Sequence, residues 1–368
     1  TPCGTLFPYT TLFRSAPDIA AMQRLIDKPT SAILSFYNTS SDTHIFILRQ
    51  DRISIHTCPQ QGIEGLQRYI GENWLSPYLQ QSEGFDRLDS ILDELGDRLQ
   101  LNDLIAQHLD GIQQLIIVPH LLLHLIPFGA IAISDSPPRY LGDKFLIRYA
   151  PSCQILEFCH QRGEVDVETF QYGIVEDAED NLHFAAWEGD RLAELLGIPA
   201  TNRLRGKSEA TCHNYRQLAE KVPVLHSCHH AESRLDNPLE SALKLGDGDI
   251  TLGQLMSPGW RLPHLSDVFL SCCETGLGMA PLTDDILTLA AGFLCAGARS
   301  VVNTLWSVDD LATALVCTLY YRPRQQGESR PQALWGAQME LCNFSQDDFK
   351  ELSRQVEAKR KEARSRRK

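Results

Sequence analysis

The sequence predicts an α/β fold with a mostly parallel central sheet, preceded by a smaller lobe containing a β-hairpin and helices. In the second half of the chain, apolar runs of strand length alternate with segments of helical periodicity, which is the pattern of βαβ units. The first half instead begins with three β-rich runs close together. With 368 residues, 43% of them hydrophobic and 22% charged, the chain is long enough for two lobes with their own cores.

The first fifteen residues are set aside from the fold. Thr5–Ser15 reads TLFPYTTLFRS, which looks like the translation of a common sequencing adapter and has neither a helical nor a strand period. We therefore expect Thr1–Ser15 to be an assembly artefact, and the natural chain to extend further upstream.

The N-terminal lobe, residues 16–165, is predicted to combine a β-meander with helices. Its predicted strands, which are apolar or β-rich runs bounded by turn residues, are Ala32–Tyr37, His44–Arg49, Ile53–Thr57 and Leu115–Val118. Its predicted helices, which have apolar residues near i, i+3 and i+4 spacing or an apolar run, are Ile63–Trp74, Phe85–Leu109 and Leu125–Ile133. Gly111 is expected to end the second helix, and Pro127 to lie in the first turn of the third.

The C-terminal lobe, residues 166–345, carries the regular alternation of strand and helix. Its predicted strands are Tyr172–Val175, Thr201–Leu204, Val222–Cys228, Asp267–Cys272 and Arg299–Leu305. Its predicted helices are Ala185–Leu196, Glu209–Glu220, Asp284–Ala296 and Asp309–Tyr321. Ser307 with Asp310 has the spacing of a capping box, and Asp309 also suits the positive end of the last helix. This alternation implies a sheet with helices on both faces.

Two segments depart from the alternation. Asn237–Leu265 is a Gly/Pro-rich excursion between two strands, with a short helix near Thr251–Met256, and it is expected to frame a substrate groove. Residues 346–368 form a charged tail, in which Lys359–Lys368 holds seven basic residues and one acidic residue. We expect a solvated helix there, with a partner or nucleic-acid contact as the alternative.

Charge and cysteine usage exclude several classes of protein. The net charge of −13 argues against general nucleic-acid binding. The eleven cysteines are odd in number and lie mostly inside apolar runs, as Cys228, Cys295 and Cys317 do, so we expect reduced thiols. Prolines, glutamines and histidines interrupt the uncharged stretch Gly111–Ser134, so no membrane span is expected. The predicted location is the cytoplasm.

Two apolar runs end in residues that carry chemistry. Val222–His230 ends in S-C-H-H, and Asp267–Gly278 contains S-C-C-E-T-G. The carboxyl ends of neighbouring parallel strands meet at one crevice, so a thiol after one strand can meet an imidazole after another. Because an imidazole that takes the thiol proton makes the nucleophile for acyl transfer, we predict a His229–Cys273 pair. This chemistry needs no metal and no organic cofactor.

Rival interpretations exist for the same cluster of cysteines and histidines. A zinc site is one, but neither C-x-x-C nor H-x₃-H spacing is present. Buried structural roles fit Cys228 and Cys272, and His226 is expected in the core or beside the site. A redox role for the vicinal Cys272 and Cys273 is disfavoured, because neighbouring residues of a strand point to opposite faces.

The segment around Cys273, C-C-E-T-G-L-G, resembles the S-A-C-E-T-G-L-G motif of the CHAT family, a caspase-like domain often found beside tetratricopeptide repeats and related to separases and caspases. Further segments that resemble family landmarks, in family order, are Pro119–Phe128, Asn237–Ser241, Gly292–Val301 and Leu305–Asp309. The resemblance extends from about Ser31 to about Cys342. It implies a caspase-like three-layer α/β/α sandwich, preceded by a lobe like a degenerate protease.

The resemblance also implies the roles of individual residues. Cys273 falls on the nucleophile and His229 on the general base, and the backbone N–H groups of His230 and Cys273 fall on the oxyanion donors. The family usually has Gly where this chain has His230, although His still supplies a backbone N–H. Cys272 takes a place that Ala commonly holds.

Substrate contacts are expected at Ser271, Glu274 and Asp309. In caspase-like enzymes, the residue two before the nucleophile helps to read P1, the substrate residue whose carbonyl is attacked, and Ser271 stands there. Since Ser is uncharged, we hypothesise that Glu274 or Asp309 supplies an acidic pocket wall and a preference for basic P1 residues.

The predicted function is that of a caspase-like cysteine protease, an endopeptidase that cleaves specific protein partners through an acyl-enzyme. The resemblance implies control by an upstream tetratricopeptide-repeat or sensor region. Protein substrates are the expected partners; no membrane is expected, and nucleic acid only through the basic tail. The alternative is a weak or inactive CHAT pseudoprotease that acts as a protein-interaction scaffold.

Overall fold

The computed structural model describes residues 18–80, 87–135, 138–163, 171–182, 184–272, 287–354 and 356. They divide into two compact units, of which the first contains the described residues up to Gly163 together with Leu287, and the second contains the rest. Both units mix helices with sheets, so the predicted α/β class is confirmed. Within the described ranges, no helix combines the length and the apolar composition that a membrane crossing requires.

The first unit is built on a five-stranded sheet and a small ribbon. Its strands are β1 (Ser31–Asn38), β2 (Thr43–Leu48), β3 (Ile53–Cys58), β4 (Gln114–Val118), β5 (Ala132–Asp135), β6 (Pro138–Tyr140) and β7 (Leu146–Tyr149). The sheet has the order β3-β2-β1-β4-β7, and β5 pairs with β6 in the ribbon. β1, β2 and β3 form the predicted antiparallel meander, whereas β4 runs parallel to both β1 and β7.

Two of the three helices predicted in the first unit differ from the structure, and several of the observed helices were not predicted. They are α1 (Ile19–Arg24), α2 (Arg68–Ile70), α3 (Ser76–Leu79), α4 (Leu88–Arg98), α5 (Leu101–His108), α6 (Leu141–Lys144) and α7 (Cys153–Gln161), with π-helical turns at Ile63–Gln67 and Gly71–Leu75. The helix predicted over Phe85–Leu109 is divided by Gln100, which has a left-handed φ of 51°. The helix predicted at Leu125–Ile133 is wrong. Pro127 disfavours helical angles at Ile126, which is extended, and only short 3₁₀ turns flank it before β5.

The second unit contains a five-stranded, fully parallel sheet. Its strands are β8 (Tyr172–Glu176), β9 (Arg203–Arg205), β10 (Val224–Cys228), β14 (Asp267–Leu270) and β15 (Ser300–Val302), in the order β15-β14-β10-β8-β9. The chain passes from β8 to β9 on one side and then returns to place β10 on the other side of β8. The connections after β8 and β10 therefore diverge, which makes their carboxyl ends a switch point where parallel sheets form crevices.

Helices cover both faces of this sheet. They are α8 (Ala185–Leu196), α9 (Gly206–Glu209), α10 (Cys212–Lys221), α11 (Leu252–Leu255), α12 (Leu289–Ala296), α13 (Asp310–Gln325) and α14 (Arg330–Cys342). α8, α13 and α14 pack on one face around a core that includes Phe269 and Cys317. α10 packs on the other face, where the hydroxyl of Tyr215 lies 2.9 Å from Ser227 Oγ. Residues 346–354 are also helical.

A small antiparallel sheet follows β10 directly. It consists of β11 (Ala231–Glu232), β12 (Ala242–Leu245) and β13 (Gly248–Thr251), and it leads into α11, whose N-cap is Thr251. The predicted excursion Asn237–Leu265 therefore has structure of its own. In the small sheet, β11 pairs with β12 through Ala231 and Leu243, and Ala231 directly follows the candidate residues His229 and His230.

Candidate active site

His229 follows the last residue of β10 at the switch point. Its side chain is buried, with 1% of the residue exposed. The ring packs edge-on against Tyr215 of α10, with 5.9 Å between the ring centroids. Tyr215 is itself fully buried, and its hydroxyl forms a hydrogen bond with Ser227 of β10, the strand that His229 follows. The position of the imidazole is therefore fixed by packing.

One hydrogen bond determines which nitrogen of His229 carries its proton. Nδ1 lies 3.0 Å from the carbonyl oxygen of His230, and a carbonyl oxygen can only accept, so Nδ1 is the protonated nitrogen. The lone pair is then on Nε2. Within the described residues, Nε2 is buried and has no hydrogen-bond partner. The imidazole is therefore held in the tautomer that a general base needs.

Burial also determines the charge of His229. Burial, with a smaller effect of the neighbouring His226 and His230, lowers the pKa of the imidazole, and the hydrogen bond to the His230 carbonyl opposes the change; the net pKa is about 4. His229 is thus neutral at physiological pH. A neutral ring with its proton on Nδ1 can accept a further proton only at Nε2.

His230 occupies its position without the conformational freedom of glycine. The φ angle of His230 is not positive, so its backbone lies in a region that any residue can adopt. Its imidazole Nε2 lies 2.8 Å from Oδ1 of Asn181, in the loop after β8, and its carbonyl accepts from the N–H of Lys244 at 2.9 Å. Within the described chain, the His230 N–H has no backbone acceptor.

Ser271 and Cys272 follow the end of β14 and turn to opposite faces of the sheet. β10 and β14 are paired in register up to Ser227 and Leu270, so His229 and Cys272 both lie two residues beyond a paired position. Cys272 is buried, and its Sγ lies 3.2 Å from the carbonyl of Ser227. Ser271 is half-buried, and its hydroxyl donates to the carboxylate of Glu188 at 3.1 Å.

Of the remaining predicted site residues, the structure describes only Asp309. Cys273 and Glu274 lie outside the described residues, so the His229–Cys273 pair stays a prediction. Asp309 is exposed and is the N-cap of α13, where its carboxylate accepts from the N–H of Ala312 at 2.9 Å. The predicted capping box with Ser307 as the N-cap is therefore wrong, because the helix starts two residues later.

A buried polar cluster lies behind Ser271, on the face covered by α8 and α13. Glu188 Oε1 is 2.6 Å from His226 Nε2, and the hydroxyl of Tyr321 is 3.4 Å from the other ring nitrogen. Cys317 of α13 is close to both Glu188 and His226. All four side chains are almost completely buried. The cluster thus joins β10, α8 and α13 directly beneath the end of β14.

The same cluster has the residue types of a zinc site, and the distances test that role. The ligand atoms of Glu188, His226 and Cys317 lie within 4.8 Å of one another. Two ligand atoms of a tetrahedral zinc ion are about 3.3 Å apart, however, since each lies about 2.0 Å from the metal. The 2.6 Å between Glu188 and His226 is the length of a direct, charge-assisted hydrogen bond. The arrangement therefore fits a hydrogen-bonded network better than a metal centre.

Glu188 is the site residue that the sequence reasoning missed. It lies in the predicted helix Ala185–Leu196, whose bounds the structure reproduces. Ala185, Glu188 and Leu192 follow i, i+3, i+7 spacing, and all three are buried. An acidic residue in the apolar stripe of a helix was therefore the available signal, since a carboxylate rarely enters a core without a partner.

A small cavity lies at the other end of the parallel strands, near their amino ends. It is lined by the first residues of the parallel strands, including Tyr172, Val224 and Asp267. The chemistry-bearing residues lie at the carboxyl ends, where α/β sheets form their binding crevices. We therefore do not assign the cavity to the site.

Comparison with protein families identifies a match over most of the chain. A family model described as the CHAT domain matches residues 90–364, which is most of the chain. CHAT domains form a caspase-like family related to peptidases. No curated protein matches the chain.

Proposed function

This chain belongs to the CHAT domain family, and from that premise and the chemistry at the end of β10 we propose that it is a cysteine endopeptidase. Cys273 is the nucleophile and His229 the general base. Specific partner proteins are the substrates, and a tetratricopeptide-repeat or sensor region upstream controls the activity.

The reaction follows from the tautomer of His229. Nε2 takes the proton of the Cys273 thiol while the sulfur attacks the P1 carbonyl, and the backbone N–H groups of His230 and Cys273 hold the oxyanion. The carbon–nitrogen bond then breaks, and the imidazolium returns its proton to the leaving amine. Water, deprotonated by Nε2, attacks the thioester, and the acid product leaves with the thiol restored.

One observation carries this proposal most directly. The buried imidazole of His229 at the switch point donates from Nδ1 to a backbone carbonyl 3.0 Å away, and its Nε2 has no hydrogen-bond partner among the described residues. An unpartnered polar atom in a protein interior costs about 1–3 kcal/mol, so a role in chemistry explains its presence.

The second candidate is a scaffold with the protease fold but little activity. The low pKa of His229, about 4, favours it, because a weakly basic imidazole drives proton removal from a thiol less strongly. In that case the fold would present a binding surface, and neither His229 nor Cys273 would matter for the partner.

The experiment compares the full chain with Cys273→Ala, His229→Ala and, as a matched control at the neighbouring cysteine, Cys272→Ala. Cleavage is measured on a peptide library by mass spectrometry of new termini. We expect cleavage by the wild type and by Cys272→Ala, and its loss in the other two variants. Cleavage that survives Cys273→Ala would overturn the nucleophile, and a wild type that cleaves nothing but still captures partners would support the scaffold.

A further inference from the structure

The hydroxyl of Thr304 holds the carbonyl of the residue that precedes the predicted nucleophile. Thr304 lies two residues beyond β15, and its Oγ1 donates to the carbonyl oxygen of Cys272 at 2.8 Å. β15 and β14 are paired in register up to Val302 and Phe269. The hydrogen bond therefore joins the chain beyond two neighbouring parallel strands, at the carboxyl edge of the sheet where the candidate site lies.

This hydrogen bond acts on a peptide group that the proposed reaction uses. The carbonyl of Cys272 belongs to the peptide group whose N–H is that of Cys273, one of the two proposed oxyanion donors. A trans peptide is planar, and its C=O and N–H point in opposite directions, so a partner that holds the C=O also orients the N–H. That orientation matters because hydrogen bonds weaken steeply as they bend.

The order of the strands gives the direction. β14 lies between β15, which Thr304 follows, and β10, which His229 follows. A trans peptide whose C=O is held from the β15 side has its N–H turned to the β10 side. The geometry thus directs an oxyanion donor toward the side of the sheet that holds the proposed general base.

Neighbouring contacts hold side chains rather than this peptide group. Sγ of Cys272 lies 3.2 Å from the carbonyl of Ser227 on β10, and the hydroxyl of Ser271 lies 3.1 Å from a carboxyl oxygen of Glu188. The bond from Thr304 acts on the backbone itself. Substitution of Thr304 therefore affects the peptide group more directly than Cys272→Ala, which removes only a thiol.

We propose that Thr304 is a positioning residue for the oxyanion. Its hydroxyl sets the direction of the Cys273 N–H and strengthens it as a donor, because a carbonyl that accepts a hydrogen bond polarises the N–H of the same peptide group. This inference rests on the proposed peptidase function. The competing explanation is a structural tie between the ends of β14 and β15, in which stability depends on Thr304 but the reaction does not.

The kinetic experiment compares the full chain with Thr304→Val, which removes the hydroxyl and keeps the shape, and Thr304→Ser, which keeps the hydroxyl. The substrate is the library peptide that the wild type cleaves fastest. Because the oxyanion forms only after attack, Thr304→Val should lower kcat about tenfold and change KM less than about twofold. Thr304→Ser should keep kcat within about threefold of the wild type.

Thr318→Val is the matched control. Thr318 is also half-buried, and its hydroxyl donates to a backbone carbonyl, that of Ala314 in α13, at 3.2 Å. The substitution thus removes the same kind of hydrogen bond away from the candidate site. We expect it to leave kcat and KM unchanged.

Two probes of Cys273 separate the oxyanion from the thiol. A peptide aldehyde of the substrate sequence forms a hemithioacetal whose oxygen takes the place of the oxyanion, so Thr304→Val should raise its inhibition constant about tenfold. Iodoacetamide alkylates the thiol without forming an oxyanion, and its rate at Cys273, read by peptide mass spectrometry, should change less than about twofold. A merely structural role would not divide the two probes in this way.

The hydrogen bond itself can be followed through one resonance. Cys272 and Cys273 are the only adjacent cysteines in the sequence, so cysteine labelled with ¹⁵N and with ¹³C at the carbonyl gives a single carbonyl–amide cross-peak. This cross-peak should move in Thr304→Val, because the carbonyl loses its donor. It should stay near its wild-type position in Thr304→Ser and Thr318→Val.

The outcomes keep this inference apart from the function on which it rests. A wild type that cleaves, with the same kcat in Thr304→Val, would overturn the positioning role and leave the peptidase intact. Equal changes with the aldehyde and iodoacetamide, or an unmoved cross-peak in Thr304→Val, would also overturn it. If the wild type cleaves no peptide and Cys273 takes up no aldehyde, the peptidase function fails and the positioning role fails with it.

Discussion

Acidification should destabilise the second unit through His229. The unfolded imidazole has a pKa of 6.5, whereas burial lowers the pKa in the folded chain to about 4. Between these values the native state binds fewer protons than the unfolded state, so the free energy of unfolding falls as the pH falls. At 1.36 kcal/mol per pH unit, the full effect is about 3 kcal/mol, absent above pH 6.5 and complete near pH 4.

Urea unfolding between pH 7.5 and pH 4 measures this effect, with His229→Asn as the comparison. Asn cannot be protonated, so the free energy of unfolding of this variant should decline less steeply, by about 3 kcal/mol over the range. Carboxylates that titrate in the same range are common to both proteins and cancel in the difference. His213→Asn removes an exposed imidazole from α10 of the same unit and serves as the control.

The imidazole can also be followed directly, by titration of ¹³C-labelled histidine in nuclear magnetic resonance spectra. The resonance assigned through His229→Asn should show no protonation above pH 5. Parallel unfolding profiles for wild type and His229→Asn, or a midpoint near 6.5 for this resonance, would refute the argument that burial keeps the ring neutral.

Three further predictions concern packing, helix capping and the proposed oxyanion donor. Gly189→Ala should lower the free energy of unfolding in urea by about 1–3 kcal/mol, since its Cβ would lie 2.2 Å from the Glu176 carboxyl carbon. Gly336→Ala, which has open space around its Cβ, should raise it by about 0.5–1 kcal/mol. Equal effects of the two substitutions would contradict the contact between Gly189 and Glu176. Asp309→Ala should lower thermal stability by about 1 kcal/mol and Asp309→Ser should restore it, unless the cap is unimportant. On the proposed mechanism, in which only the backbone N–H of His230 serves the oxyanion, His230→Ala should keep kcat/KM within about threefold; a hundredfold loss would show that the imidazole takes part.

The sequence predicted β1 to β4, β8 to β10, β14 and β15, because apolar runs bounded by turn residues identify strands wherever the chain pairs locally or is buried on both faces. It did not predict the short strands β5 to β7 and β11 to β13. The helices were less predictable. Periodicity continues smoothly through Gln100, and only its left-handed backbone divides the predicted helix in two. The apolar residues of Leu125–Ile133 indicate burial but not conformation, and there the constraint from Pro127 outweighs helical periodicity.

For the candidate site, the sequence indicates which strand ends matter but not what lies behind them. His229 could be assigned to the end of its strand because the run stops at polar residues. The role of Glu188 depends on contacts with Ser271 and His226, which are 83 and 38 residues away along the chain. No local pattern contains that information, because it arises only when three elements pack together.

The carbonyl of His230 has a consequence for the segment that follows it. It accepts both from Nδ1 of His229 and from the N–H of Lys244, the second partner belonging to β12 of the small antiparallel sheet. Substitutions that disturb this small antiparallel sheet would displace the carbonyl and allow the proton of the His229 ring to move from Nδ1 to Nε2. On the proposed function, sequence changes among residues 231–251 would then abolish cleavage without altering either His229 or Cys273.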